Sequence, residues 1–216
     1  MAILEIAQVP FKKEPAIIKE VKEELLPNLI TLLSKSEPKN GLLGYIVKEN
    51  GRDVRDENRL ILLLEWTGVE NFKNFIASSG FLEFAGKLKG YAGPGSAPPK
   101  LFDVHDSVSS LFTSDTVLEY LVIKLKDASE ATQKSVLEKI QSSVPQPGTA
   151  QVVVGKGSVN TETGEIALVS LYASEADLAA TSASAARVQL LADIADTADV
   201  TSLVAQVKKE LPLAEK

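Results

Sequence analysis

The sequence predicts an α+β chain of two ferredoxin-like (βαββαβ) domains, at 1–106 and 115–216. Three observations predict it. Ile3-Leu4-Glu5-Ile6 opens the chain ahead of a helical stretch, and Val117-Leu118-Glu119-Tyr120 opens the second half in the same way. The apolar run Leu60–Trp66, followed by Thr67-Gly68 and Val69-Glu70-Asn71-Phe72, has a counterpart in Ile166–Tyr172, followed by Ala173-Ser174 and Glu175-Ala176-Asp177-Leu178. Trp66 thereby falls opposite Tyr172, and Phe72 opposite Leu178. Finally, 216 residues of which 44% are hydrophobic and 24% charged suffice to bury a sizeable core.

Each half gives the same elements in order. Residues 2–8 form a short apolar strand, and Pro15 stands where a first-turn proline is tolerated. Ile17, Ile18, Val21, Leu25, Leu29 and Leu32 then recur at three- and four-residue spacing, one apolar helical stripe. Pro27 inside that stripe predicts a kink or a restart. Gly41–Val47 is a second strand, Asn50-Gly51 a turn signal, and Leu60–Trp66 a third strand. Since Leu60–Leu64 has no polar face, that strand is expected to be central and covered on both sides. Helices follow at Val69–Ser78 and Phe81–Leu88, then an irregular loop over Gly90–Pro99 suited to closing over a pocket, then a strand at Lys100–His105. The second half repeats this with Thr116–Leu125, Ala128–Ser142, Ala150–Val154, Glu165–Leu171, a single alanine-rich helix over Glu175–Ile194, and Thr201–Lys209. Thr161-Glu162-Thr163-Gly164 is its hairpin turn, and the polar stretch Asp106–Asp115 is the joint between domains.

Composition removes whole classes of function. Without cysteine there are no disulfides, thiolate metal sites or cysteine nucleophiles. A single histidine, His105, excludes a multi-histidine zinc or iron site within one chain. No metal and no other cofactor is expected. The net charge of −6 argues against nucleic acid or an anionic membrane as the main partner. No apolar run approaches the ~20 residues of a membrane span, and the N-terminus meets Lys12 and Lys13 too early for a signal peptide, so a cytoplasmic protein is expected. Gly155-Lys156-Gly157 and Gly93–Gly95 lack the spacing of a phosphate-binding loop.

The order of elements, with the phrase Glu65-Trp66-Thr67-Gly68 and the aromatics Phe72 and Phe75 leading to a Ser78-x-x-Phe81 step, resembles the antibiotic biosynthesis monooxygenase superfamily. That resemblance implies the dimeric α/β-barrel fold, in which two single-domain subunits pair their sheets. Here the two halves would pair within one chain as a pseudo-dimeric α/β barrel, with a homodimer of such chains left open. Many enzymes of the superfamily oxidise electron-rich phenols or quinols without metal or flavin, beside an apolar cavity. Its heme-degrading branch uses an Asn on strand one, then a Trp and a His on a helix. The matching positions hold Ala7 or Gln8, then Phe75, then Ala85, so heme degradation is not implied.

The candidate chemistry rests on few residues. Asp103 and His105 share one face of the last strand of the first domain, so Asp103 can orient His105 as a general acid or base, the plain alternative being a polar face on an edge strand. Trp66, Tyr45, Tyr91 and Phe75 are candidate substrate-binding residues, and each is also a credible packing residue. Two functions result. One is a cofactor-independent monooxygenase or cyclase acting on an aromatic, polyketide-like ligand. The alternative is a non-catalytic ligand-binding or stress-related module of the same fold.

Overall fold

A computed structural model describes residues 2–36, 38–104, 116–143 and 151–208. The first half runs β1 (Ala2–Pro10), α1 (Pro15–Glu20), a π turn (Val21–Leu25), α2 (Leu26–Ser34), β2 (Asn40–Glu49), the two-residue β3 (Arg52–Asp53), β4 (Arg59–Trp66), α3 (Val69–Ile76), α4 (Ser79–Tyr91) and β5 (Lys100–Val104). The second runs β6 (Thr116–Leu125), α5 (Glu130–Ser143), β7 (Gln151–Val159), β8 (Glu165–Tyr172), α6 (Glu175–Ser182), α7 (Ala185–Ile194) and β9 (Ala198–Lys208). The joint at Asp106–Asp115 lies outside the described residues.

Every strand pairing is antiparallel. The order β2-β4-β1-β5-β7-β8-β6-β9 closes on itself through a β2–β9 pair, making an eight-stranded barrel with β3 appended outside β2. Within each half the last strand lies beside the first, the first beside the third, and the third beside the second, the ferredoxin-like order. The last strand of each half then pairs with the second strand of the other, at β5–β7 and β9–β2. The chain is thus an α+β, pseudo-dimeric α/β barrel, the fold that the superfamily resemblance implies, and closure leaves the main sheet without an open edge.

Alternation along the strands sorts side chains into layers. Leu4, Ile6, Ile61, Leu63, Phe102, Tyr120, Val169 and Leu203 fill the barrel. Ile3, Leu60, Leu62, Leu64, Trp66 and Leu101 face outward, where the π turn, α2, α3 and α4 cover them with Leu25, Leu29, Phe72, Phe75 and Phe84. All of Leu60–Trp66 is buried, as its lack of a polar face requires.

One local structure refines an expectation and two differ from it, each for a physical reason. At Pro27 the expected kink or restart takes the form of a π turn, after which α2 begins at Leu26. The proline lacks an N–H and its ring crowds the carbonyl four residues back, so the preceding turn widens, with the Leu26 N–H donating to the Val21 carbonyl. The predicted helix over 175–194 is two helices. Ser184 interrupts it by accepting the Arg187 N–H, just as Ser78 accepts the Phe81 N–H between α3 and α4. And Gly155-Lys156-Gly157 is strand, because a Cβ on Gly155 would stand 2.7 Å from the Phe102 Cβ, so glycine lets β7 lie against β5.

Candidate functional site

A cavity of about 240 Å3 opens where the π turn crosses the sheet next to the β2–β9 seam. Phe11, Ile18, Val21 and Val47 give it apolar walls, and Tyr45, Lys22, Asn58, Arg59 and Gln206 give it polar ones. Each comes from a different feature. Val21 and Lys22 lie on the π turn that Pro27 imposes. Asn58 stands in left-handed backbone just before β4. Gln206 arrives from the second half because β9 pairs with β2, Tyr45 opposite Gln206. Arg59 is held by Glu49 at 3.0 Å and Glu57 at 3.1 Å, and Arg55, also on the wall, is held by Asp53 and Glu175. The lining includes side chains with N–H and O–H donors and no carboxylate, a surface suited to a phenolate, enolate or ketone oxygen.

Phe11 also walls a more open groove of about 580 Å3 formed by Pro10–Glu14, Glu57, Gly93 and Pro94. The loop after α4 is tied there by the Gly93 N–H to the Pro10 carbonyl (2.7 Å) and by the Lys12 N–H to the Tyr91 carbonyl (3.0 Å). Phe11 therefore separates an outer groove from an inner cavity, and the Gly-Pro loop forms one bank of that groove.

A second constellation occupies the other end of the same sheet face. Ile3 on β1 pairs with Trp66 on one side and Asp103 on the other, which sets Trp66 and Asp103 about 10 Å apart in one row. One row inward, Glu5 lies between Leu64 and Leu101. Its carboxylate Oε2 accepts the Trp66 indole N–H at 2.7 Å. Trp66 is fully buried and packs against Phe75 (ring centroids 5.3 Å) and edge-on against Phe72 (6.0 Å), with Phe81 packed at a tilt behind Phe75 (4.9 Å). Desolvation pushes the Glu5 carboxyl up to about 7 against the opposing pull of the indole hydrogen bond.

That shift makes Glu5 a pH-dependent part of stability. The folded protein retains a proton that an unfolded carboxyl, at its ordinary 4.5, releases. The contribution is therefore full below pH 4.5 and falls as pH rises towards 7. Above that window the fold is weaker by about 3 kcal/mol than at acid pH, from 1.36 kcal/mol per pH unit. Glu5→Gln is expected to flatten this slope, read as urea midpoints between pH 5 and 8; an unchanged slope refutes the assignment.

The structure therefore divides the residues singled out in the sequence. Trp66 and Phe75 pack together at one end, with Asp103 about 10 Å from Trp66 in the same row. Tyr45 pairs with Leu60, six residues along β4 from Trp66, so the two are about 20 Å apart. Tyr91 ends α4, its phenol hydrogen-bonded to Glu20, which raises it. Asp103 belongs to β5, an interior strand paired with β1 and β7. His105 lies outside the described residues. Sequence reasoning missed Glu5 as a site residue, although a glutamate at the same place in two otherwise apolar opening strands was a usable signal. It also missed Lys22, Asn58 and Gln206, which only the fold brings together.

No family model and no curated protein sequence matches the chain. Solved structures do. A putative monooxygenase from Fusobacterium nucleatum subsp. nucleatum superimposes with a TM-score of 0.68 at 14% identity, over 97% of this chain and 94% of that one. An anthrone oxidase-like protein gives 0.61 at 13% identity, over 99% and 96%. A heme-binding protein from Thermus thermophilus gives 0.54 at 10%, over 95% and 90%. At such identities the likeness establishes the fold alone, and the same fold serves different chemistries.

Proposed function

We propose that the chain binds a small aromatic, polyketide-like molecule and acts on it as a cofactor-independent monooxygenase or cyclase, within the domain at 1–106, while the domain at 115–216 supplies the second sheet and Gln206. The observation that carries this reading is the donor-lined cavity at Tyr45. Its volume is below the ~300–1,000 Å3 of drug-sized pockets, so a compact ring system suits it better than an extended one. The resemblance to the antibiotic biosynthesis monooxygenases and the barrels shared with a putative monooxygenase and an anthrone oxidase-like protein favour oxygenation.

The chemistry balances without a resident cofactor. Loss of a proton from an activated CH2 gives an enolate, which is electron-rich enough to reduce O2. One oxygen atom becomes the new carbonyl, and the other leaves as water with the two hydrogens removed. Tyr45, Lys22 and the Asn58 and Gln206 amides would stabilise the enolate oxygen, and Phe11 would hold bulk water out. Asp103 with His105 is proposed as a proton-handling pair, in which case the substrate sits at the Trp66 end.

An anthrone tested for O2 consumption, with anaerobic calorimetry alongside, separates these readings. Tyr45→Phe is expected to slow O2 uptake by roughly 10²-fold with little effect from His105→Ala; the reverse pattern places the reaction at the Trp66 end. Binding without O2 uptake rejects the enzyme in favour of a ligand-binding module, a reading that the apolar filling of the barrel and the sealed layer at Trp66 already favour. No binding rejects both.

A further inference from the structure

The two halves carry the same buried glutamate in different electrostatic settings. Glu119 stands on β6 where Glu5 stands on β1, and its Oε2 accepts from Arg187 at 3.0 Å and from the Tyr172 hydroxyl at 3.4 Å. Tyr172 occupies the place of Trp66. Arg187 is the third residue after the capping Ser184, and the third residue after the capping Ser78 is Phe81. Where the second half offers its buried carboxylate a guanidinium, the first half offers an aromatic ring, and that ring packs at a tilt against Phe75, which packs at a tilt against Trp66.

No cation from any element packed around Glu5 replaces the missing arginine among the described residues. β4 presents Leu64 and Trp66, and β5 presents Leu101 and, one row away, Asp103. α3 presents Phe72 and Phe75, while its Glu70 and Lys73 pair with each other in solvent. α4 presents Phe81, while its Glu83 and Lys87 do the same. His105 follows Asp103 in sequence and lies outside the described residues, so His105→Asn serves as a control. An ionised Glu5 in this setting is a buried charge with a single indole donor, which the layer can accommodate only by admitting water.

We propose that Glu5 is a proton-operated latch on the first half: the neutral carboxyl holds the Trp66–Phe75–Phe81 cluster closed under α3 and α4, and its ionisation loosens that cluster, whereas the matching layer of the second half is built around the Arg187–Glu119 ion pair. The upward displacement of Glu5 to about 7 sets the latch in the neutral range. The latch stands independently of the ligand reading at Tyr45.

Trp66 is the sole tryptophan, so its fluorescence reports the layer directly. Between pH 5 and 9 the wild type is expected to show a red-shifted emission and a several-fold rise in acrylamide quenching, with a midpoint near 7. The transition should be absent in Glu5→Gln, displaced to lower pH by at least one unit in Phe81→Arg, and retained in His105→Asn. A flat wild-type profile, a transition that survives Glu5→Gln, or one that disappears in His105→Asn overturns the proposal. Should Glu5→Gln fail to fold, infrared difference spectra of the wild type decide the matter. A protonated-carboxyl stretch present at pH 6 and lost at pH 8 supports the latch, and no such change rejects it.

Discussion

Arg187→Ala is expected to lower the unfolding free energy by about 3–5 kcal/mol, the range for removing one partner of a buried ion pair. The pair is well enclosed, with side-chain exposures of 11% for Arg187 and 7% for Glu119. Truncation leaves the Glu119 carboxylate with only the longer Tyr172 hydroxyl bond. That carboxylate is then a buried charge without a compensating cation. Adding Glu119→Gln to Arg187→Met removes both charges, and stability should return to within about 1 kcal/mol of wild type. Urea midpoints of both variants against wild type measure these differences. A double variant as unstable as Arg187→Ala would mean that Arg187 contributes packing rather than charge compensation.

The same comparison explains how much of the molecule could be read from its sequence. The βαββαβ order was legible because each strand carries its own signal, the unbroken apolar run of Leu60–Leu64 and the Asn50-Gly51 turn above all, and because the two halves corroborate each other. Asn50 and Gly51 do adopt positive φ values of 48° and 80°. The break at Ser184 was not legible, since an alanine-rich stretch suits an unbroken helix and one serine is a weak stop. Pairing of the halves followed from the resemblance, yet its consequence at the seam did not. Gln206 and Tyr45 are 161 positions apart in sequence and meet only once β9 closes the barrel on β2. The cavity is thus a product of closure, whereas Trp66 and Phe75 meet through a strand and the helix that follows it, a local relation that sequence spacing can express.

Closure itself depends on Gly44, and Gly44→Ala is expected to destabilise the protein more than any other single-methyl addition to its strands. A Cβ at this position would stand 2.2 Å from the Gln206 carbonyl oxygen, 2.6 Å from the Val207 Cγ1 and 2.8 Å from the Val207 Cα. Two of those atoms are backbone on the facing strand, so no rotamer change relieves the contact. Either β9 moves away from β2, breaking hydrogen bonds across the seam, or β2 bends, and both disturb a pairing that runs from Leu43 to Glu49 and already absorbs an irregularity between Ile46 and Lys48. A loss of at least 3 kcal/mol is expected, above the ~1–3 kcal/mol typical of overpacking in a core that can adjust. Gly86→Ala supplies the opposite sign. Gly86 lies within α4 with nothing inside 4 Å of its would-be Cβ, so alanine there should stabilise by about 0.5–1 kcal/mol through helix propensity alone. The pair isolates the seam from any general effect of adding a methyl group. If the seam governs the cavity as well as the barrel, Gly44→Ala should also weaken ligand binding at Tyr45, because Gln206 would move with the strand that carries it, while Gly86→Ala leaves binding unchanged. Equal urea midpoints for the two variants would show that β2 and β9 approach less closely than these contacts require.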